Sequence, residues 1–193
     1  MTDVLVGEHI RLRPLRADDR SAFIRIYTSP ALTRFLGVDR MDADAAASAF
    51  GAQLRGNPRR LSYAITAHDD ETMHGIIGLL IEDYGSNAMI TGLVILPGAP
   101  VSGHGSEAGR LLLAHAFGRL GLHRVWAGHR SDHTLMRDIM LVTGLEPEAT
   151  LRELFRTRGQ WHDVTTYAAL AHRWRDVATP HELAIMDGEL APA

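Results

Sequence analysis

The stretch Leu96-Pro-Gly-Ala-Pro-Val-Ser-Gly-His-Gly-Ser-Glu107 decides the fold, because it joins two segments of different periodicity. Before it, Met89–Leu96 is a short, mainly apolar run that reads as a strand and is ended by Pro97-Gly98-Ala-Pro100. After it, Gly109, Leu112, Leu113, Ala116, Phe117 and Leu120 recur at helical spacing as one apolar stripe. Gly121 closes that helix. A turn in this position carries backbone N–H groups with no partner inside the helix and the positive end of its dipole. Gly103 and Gly105 let main chain come close to a ligand with no Cβ in the way. These features suit a phosphate or pyrophosphate, and they equally suit a tight connection with no ligand. The turn has neither the Gly-Lys-Ser/Thr of a P-loop nor a full G-x-G-x-x-G, and it follows four predicted strands, unlike the first turn of a dinucleotide fold.

Working outward, His9–Leu15 alternates as a first strand. Asp18 or Asp19 then opens a helix to about Thr28, with Phe23, Ile26 and Tyr27 on its apolar face. Asp42 or Asp44 opens a second helix through Ala45–Leu54. Strands follow at Leu61–Ala67 and Met73–Ile81, the latter apolar enough to be central. Polar turns at His68–Glu71 and at Gly85-Ser-Asn87 separate these strands and the next. Beyond the long helix, Arg124–His129 reads as a strand, and Thr134–Val142 as a helix stopped by Gly144. Ala149–Thr157 and Trp161–Leu170 form a hairpin about Gly159. Residues from Arg173 onward read as irregular and peripheral. The expectation is one mixed α/β domain over residues 1–172 with a C-terminal extension, 173–193.

Composition narrows the function. The chain has 193 residues, a formal charge of −3 and no cysteine, which excludes disulfides, thiolate metal sites and a cysteine nucleophile. Every basic residue is arginine, so no mechanism uses a lysine amine. There is no overall basic field for nucleic acid, no apolar run long enough for a membrane span, and no signal-peptide pattern at Met1–His9. A cytoplasmic protein is expected.

Set in this frame, Pro100-Val-Ser-Gly103-His-Gly105 resembles the acetyl-CoA motif of GNAT acetyltransferases, Gln/Arg-x-x-Gly-x-Gly/Ala. Arg11-Leu-Arg-Pro-Leu15, Glu107-Ala108, Phe117 with Gly121, Arg124-Val125, Gly144-Leu145, Leu151-Arg-Glu153 and Gly159-Gln-Trp-His-Asp163 with Tyr167 are similar to the branch that acetylates N-termini of ribosomal proteins. The match runs in order over about residues 8–172. It implies a central, mostly antiparallel sheet of six to seven strands flanked by about four helices. It also implies direct transfer of an acetyl group from acetyl-CoA to a primary amine of a small molecule or a protein N-terminus, with no metal. By the resemblance, pyrophosphate rests on the N–H groups of Ser102, Gly103, His104, Gly105 and Ser106 beside Val101. Pantetheine runs along Gly92–Leu96, where amides of Val94, Ile95 and Leu96 polarise the thioester carbonyl.

Three positions depart from the pattern. Pro100 replaces the usual Gln or Arg, and Ile90 stands where a carboxylate often precedes the Gly of the strand. His133 and Met136 replace the Asn, a CoA contact, and the Ser, the usual acid. Substitutes are His133 or Ser131 as acid and Glu82 or Asp83 as base, against the plainer readings of a helix cap for His133 and a solvated strand end for Glu82 and Asp83. His133 also keeps the family's CoA-contact position. Two other readings share the fold: a non-CoA donor such as aminoacyl-tRNA, served by Arg152, Arg156 and Arg158, and a non-catalytic binding module. His129 and His133 stand four apart, yet His129 ends a strand, so a metal pair is not expected. Trp161, Asp163 and Tyr167 are read as packing. The loops Phe35–Met41 and Arg156–Trp161 shape the acceptor side, and an exposed hairpin edge suits pairing in a homodimer.

Overall fold

The computed structural model describes residues 3–82 and 86–189, so Asp83 and Gly85 lie outside the described residues. Eight strands form one sheet in the order β1-β2-β3-β4-β5-β6-β8-β7. They are β1 (Leu5–Val6), β2 (Ile10–Pro14), β3 (Arg60–Ala67), β4 (Gly75–Ile81), β5 (Asn87–Ile95), β6 (Arg124–Arg130), β7 (Glu146–Thr157) and β8 (Gln160–Leu170). Every neighbouring pair is antiparallel except β5 and β6. The sheet exceeds the expected six to seven strands by β1, whose two residues are too few to carry a period.

The helices are α1 (Arg20–Thr28), α2 (Ala43–Leu54), α3 (Gly105–Phe117), α4 (Thr134–Thr143), α5 (Ala171–Trp174) and α6 (Pro180–Met186). They cover both faces, which is why β4 is apolar along its length. Ile77 and Leu79 join the core under α3, while Ile76 joins a second core with Phe23, Ile26 and Phe50 of α1 and α2. Asp42 caps α2 by accepting from the Ala45 N–H at 2.7 Å. Asp19 does not cap α1. Its carboxylate instead takes two bonds, 2.8 and 2.7 Å, from the buried Arg13 guanidinium.

The chain end is the main correction to the expected fold. Residues 174–189 are not irregular: they include the end of α5 and the whole of α6, and Trp174 is fully buried with its indole N–H donating to the Thr143 carbonyl at 2.9 Å. Thr179 and Glu182 form a capping box at the start of α6, with Pro180 at its first turn. Glu182 then pairs with Arg110 of α3 through two 2.6 Å bonds. This second layer is why α3 buries ten of its thirteen residues. No helix among the described residues is long and apolar enough to cross a membrane.

Candidate active site

A gap in the sheet sets the site. β5 and β6 pair only over Asn87–Met89 and Arg124–Trp126. Further along, the β4–β5 register slips by one residue between Ile76 and Gly78, and Gly92 sits there at φ +65°. An extra residue bends the bulged strand, and glycine takes the positive φ without strain. β5 therefore leaves β6, and a cavity of about 830 Å³ opens between them.

One edge of the bent strand has no strand partner. The Leu96 N–H donates to the His74 carbonyl at 2.8 Å. Alternation gives Val94 the same β4-facing edge, and its side chain is buried in the α1–α2 core. Main-chain groups of Leu93 and Ile95 thus face the gap, so the amides expected of Val94 and Leu96 are already committed to the sheet.

The Gly-rich turn flanks the same gap. Val101 is fully buried and anchors the turn in the core, and Gly103 has φ +93°. The N–H groups of Ser102 and His104 are spent inside the turn, on Ala99 and Val101 carbonyls at 3.0 and 3.2 Å. Among the described residues, no acceptor takes those of Gly103, Gly105 or Ser106, and no side chain caps the start of α3. Gly105 lies between β5 and α4: a Cβ there would meet Ile139 at 3.5 Å and Leu93 at 3.7 Å. Glu107 is drawn to the outer side of the turn, where it accepts from the His9 N–H at 2.9 Å and pairs with His9 and His104 rings at 3.2 Å. These two imidazoles and the carboxylate hold their ligand atoms within 4.8 Å of one another, although His9 stands 95 positions from His104 in the chain.

On the opposite face of the sheet, Ser62, Gly78 and Thr91 line the cavity as adjacent positions of β3, β4 and β5. Leu32, Phe35, Leu36 and Val38, from the connection between α1 and α2, add apolar wall. Arg130 holds this roof by donating to the Arg34 carbonyl at 3.0 Å, with its guanidinium 5.2 Å from the Phe35 ring centre. Arg158 holds it from the β7–β8 turn, through Asp39 at 2.9 Å and the Pro30 carbonyl at 2.7 Å. Among the described residues, no Asp or Glu lines the cavity. Its charged lining is Arg60 and Arg130, the latter paired with Asp132 at 2.6 Å. Burial pushes the Tyr27 phenol above its ordinary pKa, so it stays neutral in this wall.

The candidate acids and bases separate clearly. Glu82 lies where β5 and β6 are still paired, at the other end of β4, and accepts from the Trp126 indole N–H at 3.1 Å. It does not line the cavity, because antiparallel pairing puts the end of β4 beside the start of β5. Ser131 also turns away, bonding the Thr165 hydroxyl at 2.8 Å. His133 does line the cavity, and its Nδ1 accepts from the Met136 N–H at 3.1 Å as the α4 cap. The ring proton of neutral His133 therefore sits on Nε2. Burial, and then the neighbouring His129, hold its pKa below the usual histidine range. Met136 lines the cavity as a thioether without a proton to give. His129 lines it too, a position sequence reasoning weighed only as half of a metal pair. Its signal was an inward register shared with Val125 and Ala127, where a polar ring needs a reason.

None of Arg152, Arg156 and Arg158 lines the cavity, so the aminoacyl-tRNA reading loses the support it drew from these three residues.

A cleft opened by a bulge beside a glycine-rich helix start can be compared with known proteins. The acetyltransferase (GNAT) domain family matches residues 9–146. The uncharacterized N-acetyltransferase YoaA of Bacillus subtilis is 23% identical over 176 residues, covering 90% of this chain and 99% of the relative. Spermidine N-acetyltransferase from Vibrio cholerae, solved with CoA and spermine, superposes with a TM-score of 0.78 at 15% identity, covering 88% of this chain and 99% of that one. RimL, a ribosomal alpha-N-protein acetyltransferase solved with coenzyme A, gives 0.74 at 17% identity, covering 87% and 98%. Sequence match and sheet geometry agree: the chain belongs to the GNAT acetyltransferase family.

Proposed function

We propose that the protein transfers the acetyl group of acetyl-CoA to a primary amine whose body is largely apolar and carries no second positive charge. The carrying observation is the unpaired edge of β5 next to the uncapped start of α3, within one cavity. Gly103, Gly105 and Ser106 offer N–H donors and the helix dipole to the pyrophosphate of CoA. Leu93 and Ile95 offer main-chain groups along the pantetheine path, where an N–H aimed at the carbonyl oxygen stabilises the charge that develops there. Acetyl-CoA, when bound, supplies the activated acyl group; the protein positions it and handles protons.

The acceptor reading rests on the lining of the opposite face. A polyamine carries several ammonium groups, and each one buried without an anion is costly. No carboxylate among the described residues meets such a group in the cavity. Leu32, Phe35, Leu36 and Val38 suit a hydrocarbon body, while Ser62, Thr91 and Tyr27 give hydroxyls near the amine.

The test is CoA thiol release with an amine panel. Apolar monoamines and amino-terminal peptides are expected to outpace spermidine in kcat/KM by at least about tenfold, a 1.4 kcal/mol preference. No thiol release with any amine would reject the enzyme reading, and spermidine as the best acceptor would reject the acceptor class.

A further inference from the structure

Of the two histidines in the cleft, one has its basic nitrogen in use and the other has it free. His129 is 8% exposed, and its Nδ1 lies 2.7 Å from the Arg130 carbonyl. A carbonyl only accepts, so Nδ1 carries the proton and the neutral ring leaves a bare lone pair on Nε2. Among the described residues, that Nε2 is buried with no hydrogen-bond partner. A stranded nitrogen of this kind carries a desolvation penalty, which makes it notable in a ring that also borders the cavity.

Building on the acetyltransferase reading above, we propose that His129 is the proton carrier of the transfer: its Nε2 takes the proton from the attacking amine and returns it to the departing sulfur. The balance closes on one residue. The amine nitrogen forms a bond to the acetyl carbon, the carbon–sulfur bond breaks, and one proton passes from nitrogen to Nε2 and from Nε2 to the thiolate. His129 ends neutral, as it began, and no other reactant is needed.

The surroundings suit that task. β6 presents His129 beyond the last β5–β6 pair, Met89 with Trp126, where the gap has opened. Tyr167 of β8 stacks on the ring, 5.3 Å between centres at 24°, and the Arg130 carbonyl fixes its tautomer. From α4, His133 stands 6.4 Å away. His133 keeps its own Nδ1 on the α4 backbone, so it offers a donor where His129 offers an acceptor. The Arg130 guanidinium is neutralised by Asp132. No carboxylate lines this cavity among the described residues, which leaves His129 as its unoccupied base.

Three variants and one spectrum test the proposal. His129→Asn keeps an N–H near Nδ1 for the Arg130 carbonyl but has no basic nitrogen; His129→Gln places a non-basic amide near Nε2. Both should lower kcat by about 100-fold or more, remove the acidic limb of the kcat–pH profile, and leave the CoA dissociation constant within about threefold. His129→Ala should regain part of its rate with added imidazole. Independently of turnover, nitrogen-detected NMR of the free protein should find His129 protonated at Nδ1 and bare at Nε2. Wild-type kcat in His129→Asn, or a proton on Nε2 at neutral pH, would overturn the proposal. So would joint loss of CoA binding and activity without imidazole rescue, which would make the ring a packing group. A wild-type protein that turns over no amine refutes the enzyme reading itself, an outcome distinct from an active enzyme indifferent to His129.

Discussion

Gly105 offers a graded test of where CoA lies. A methyl group there would sit 3.5, 3.7 and 3.9 Å from Ile139, Leu93 and Ile95, all ordinary contacts, and the position has no positive φ. Gly105→Ala should therefore fold as well as the parent and is expected to gain a few tenths of a kcal/mol, up to about 1. Gly105→Trp extends an indole from the same point into the space between β5 and α4, the space assigned to pantetheine and pyrophosphate. A ligand at about 100 times its dissociation constant stabilises the fold by roughly 2.7 kcal/mol. In a domain of this size each kcal/mol moves Tm by roughly 2–4 °C, so saturating CoA should raise wild-type Tm by about 5–11 °C. Thermal scanning with and without CoA should find that shift in wild type and in Gly105→Ala, and less than about 2 °C in Gly105→Trp. A full shift in the Trp variant, with its own Tm near wild type, would refute the placement of CoA between α3 and β5.

Asp19→Ala strips the buried Arg13 of its bidentate partner and should cost about 2 kcal/mol in urea unfolding, since the guanidinium loses two charge-assisted bonds and keeps only the more exposed Glu71 carboxylate at 3.2 Å. Thr179→Ala removes the capping box of α6 and should cost about 1 kcal/mol, read as a Tm drop of about 2–4 °C. Burial holds His115 and His133 below the usual histidine pKa, so the unfolded chain binds more protons than the folded one as pH falls through about 6.5. Stability should rise with pH through that window and be lost below it. Urea midpoints should be lower at about pH 5.5 than at about pH 7.5, and His115→Gln should flatten the difference.

Regular elements were legible because burial writes a period into sequence. β4 was read to within two residues from an unbroken apolar run, and α3 from its 3.6-residue stripe, although α3 ends at Phe117 with Gly118 as its C-cap and not at Gly121. α6 was missed although Thr179-Pro180-His181-Glu182 carries a cap signal, because its seven residues have too little apolar pattern to outweigh a polar tail. The site was read less well for a different reason. Spacing along the chain placed the glycines, but strand direction decides which end of the sheet a residue occupies. Glu82 ended at the paired end of β5 and β6 for that reason alone. Gly92, a glycine inside a predicted strand, held the signal for the bulge. His129 needed the tautomer of its neighbouring bond, and hydrogen positions are written in three dimensions only.

The clasp on the cavity roof has a consequence for how the protein is made. Arg158 reaches Asp39 across 119 positions of chain, and the Pro30 carbonyl across 128. Contacts that distant close late, after local helices and hairpins have formed. During synthesis, α1 and α2 leave the ribosome long before the β7–β8 turn that holds their connection in place. The wall at Leu32–Val38 is thus expected among the last surfaces to take shape, so that a newly made chain passes through a stage with much of its sheet in place and this side of the cavity still open.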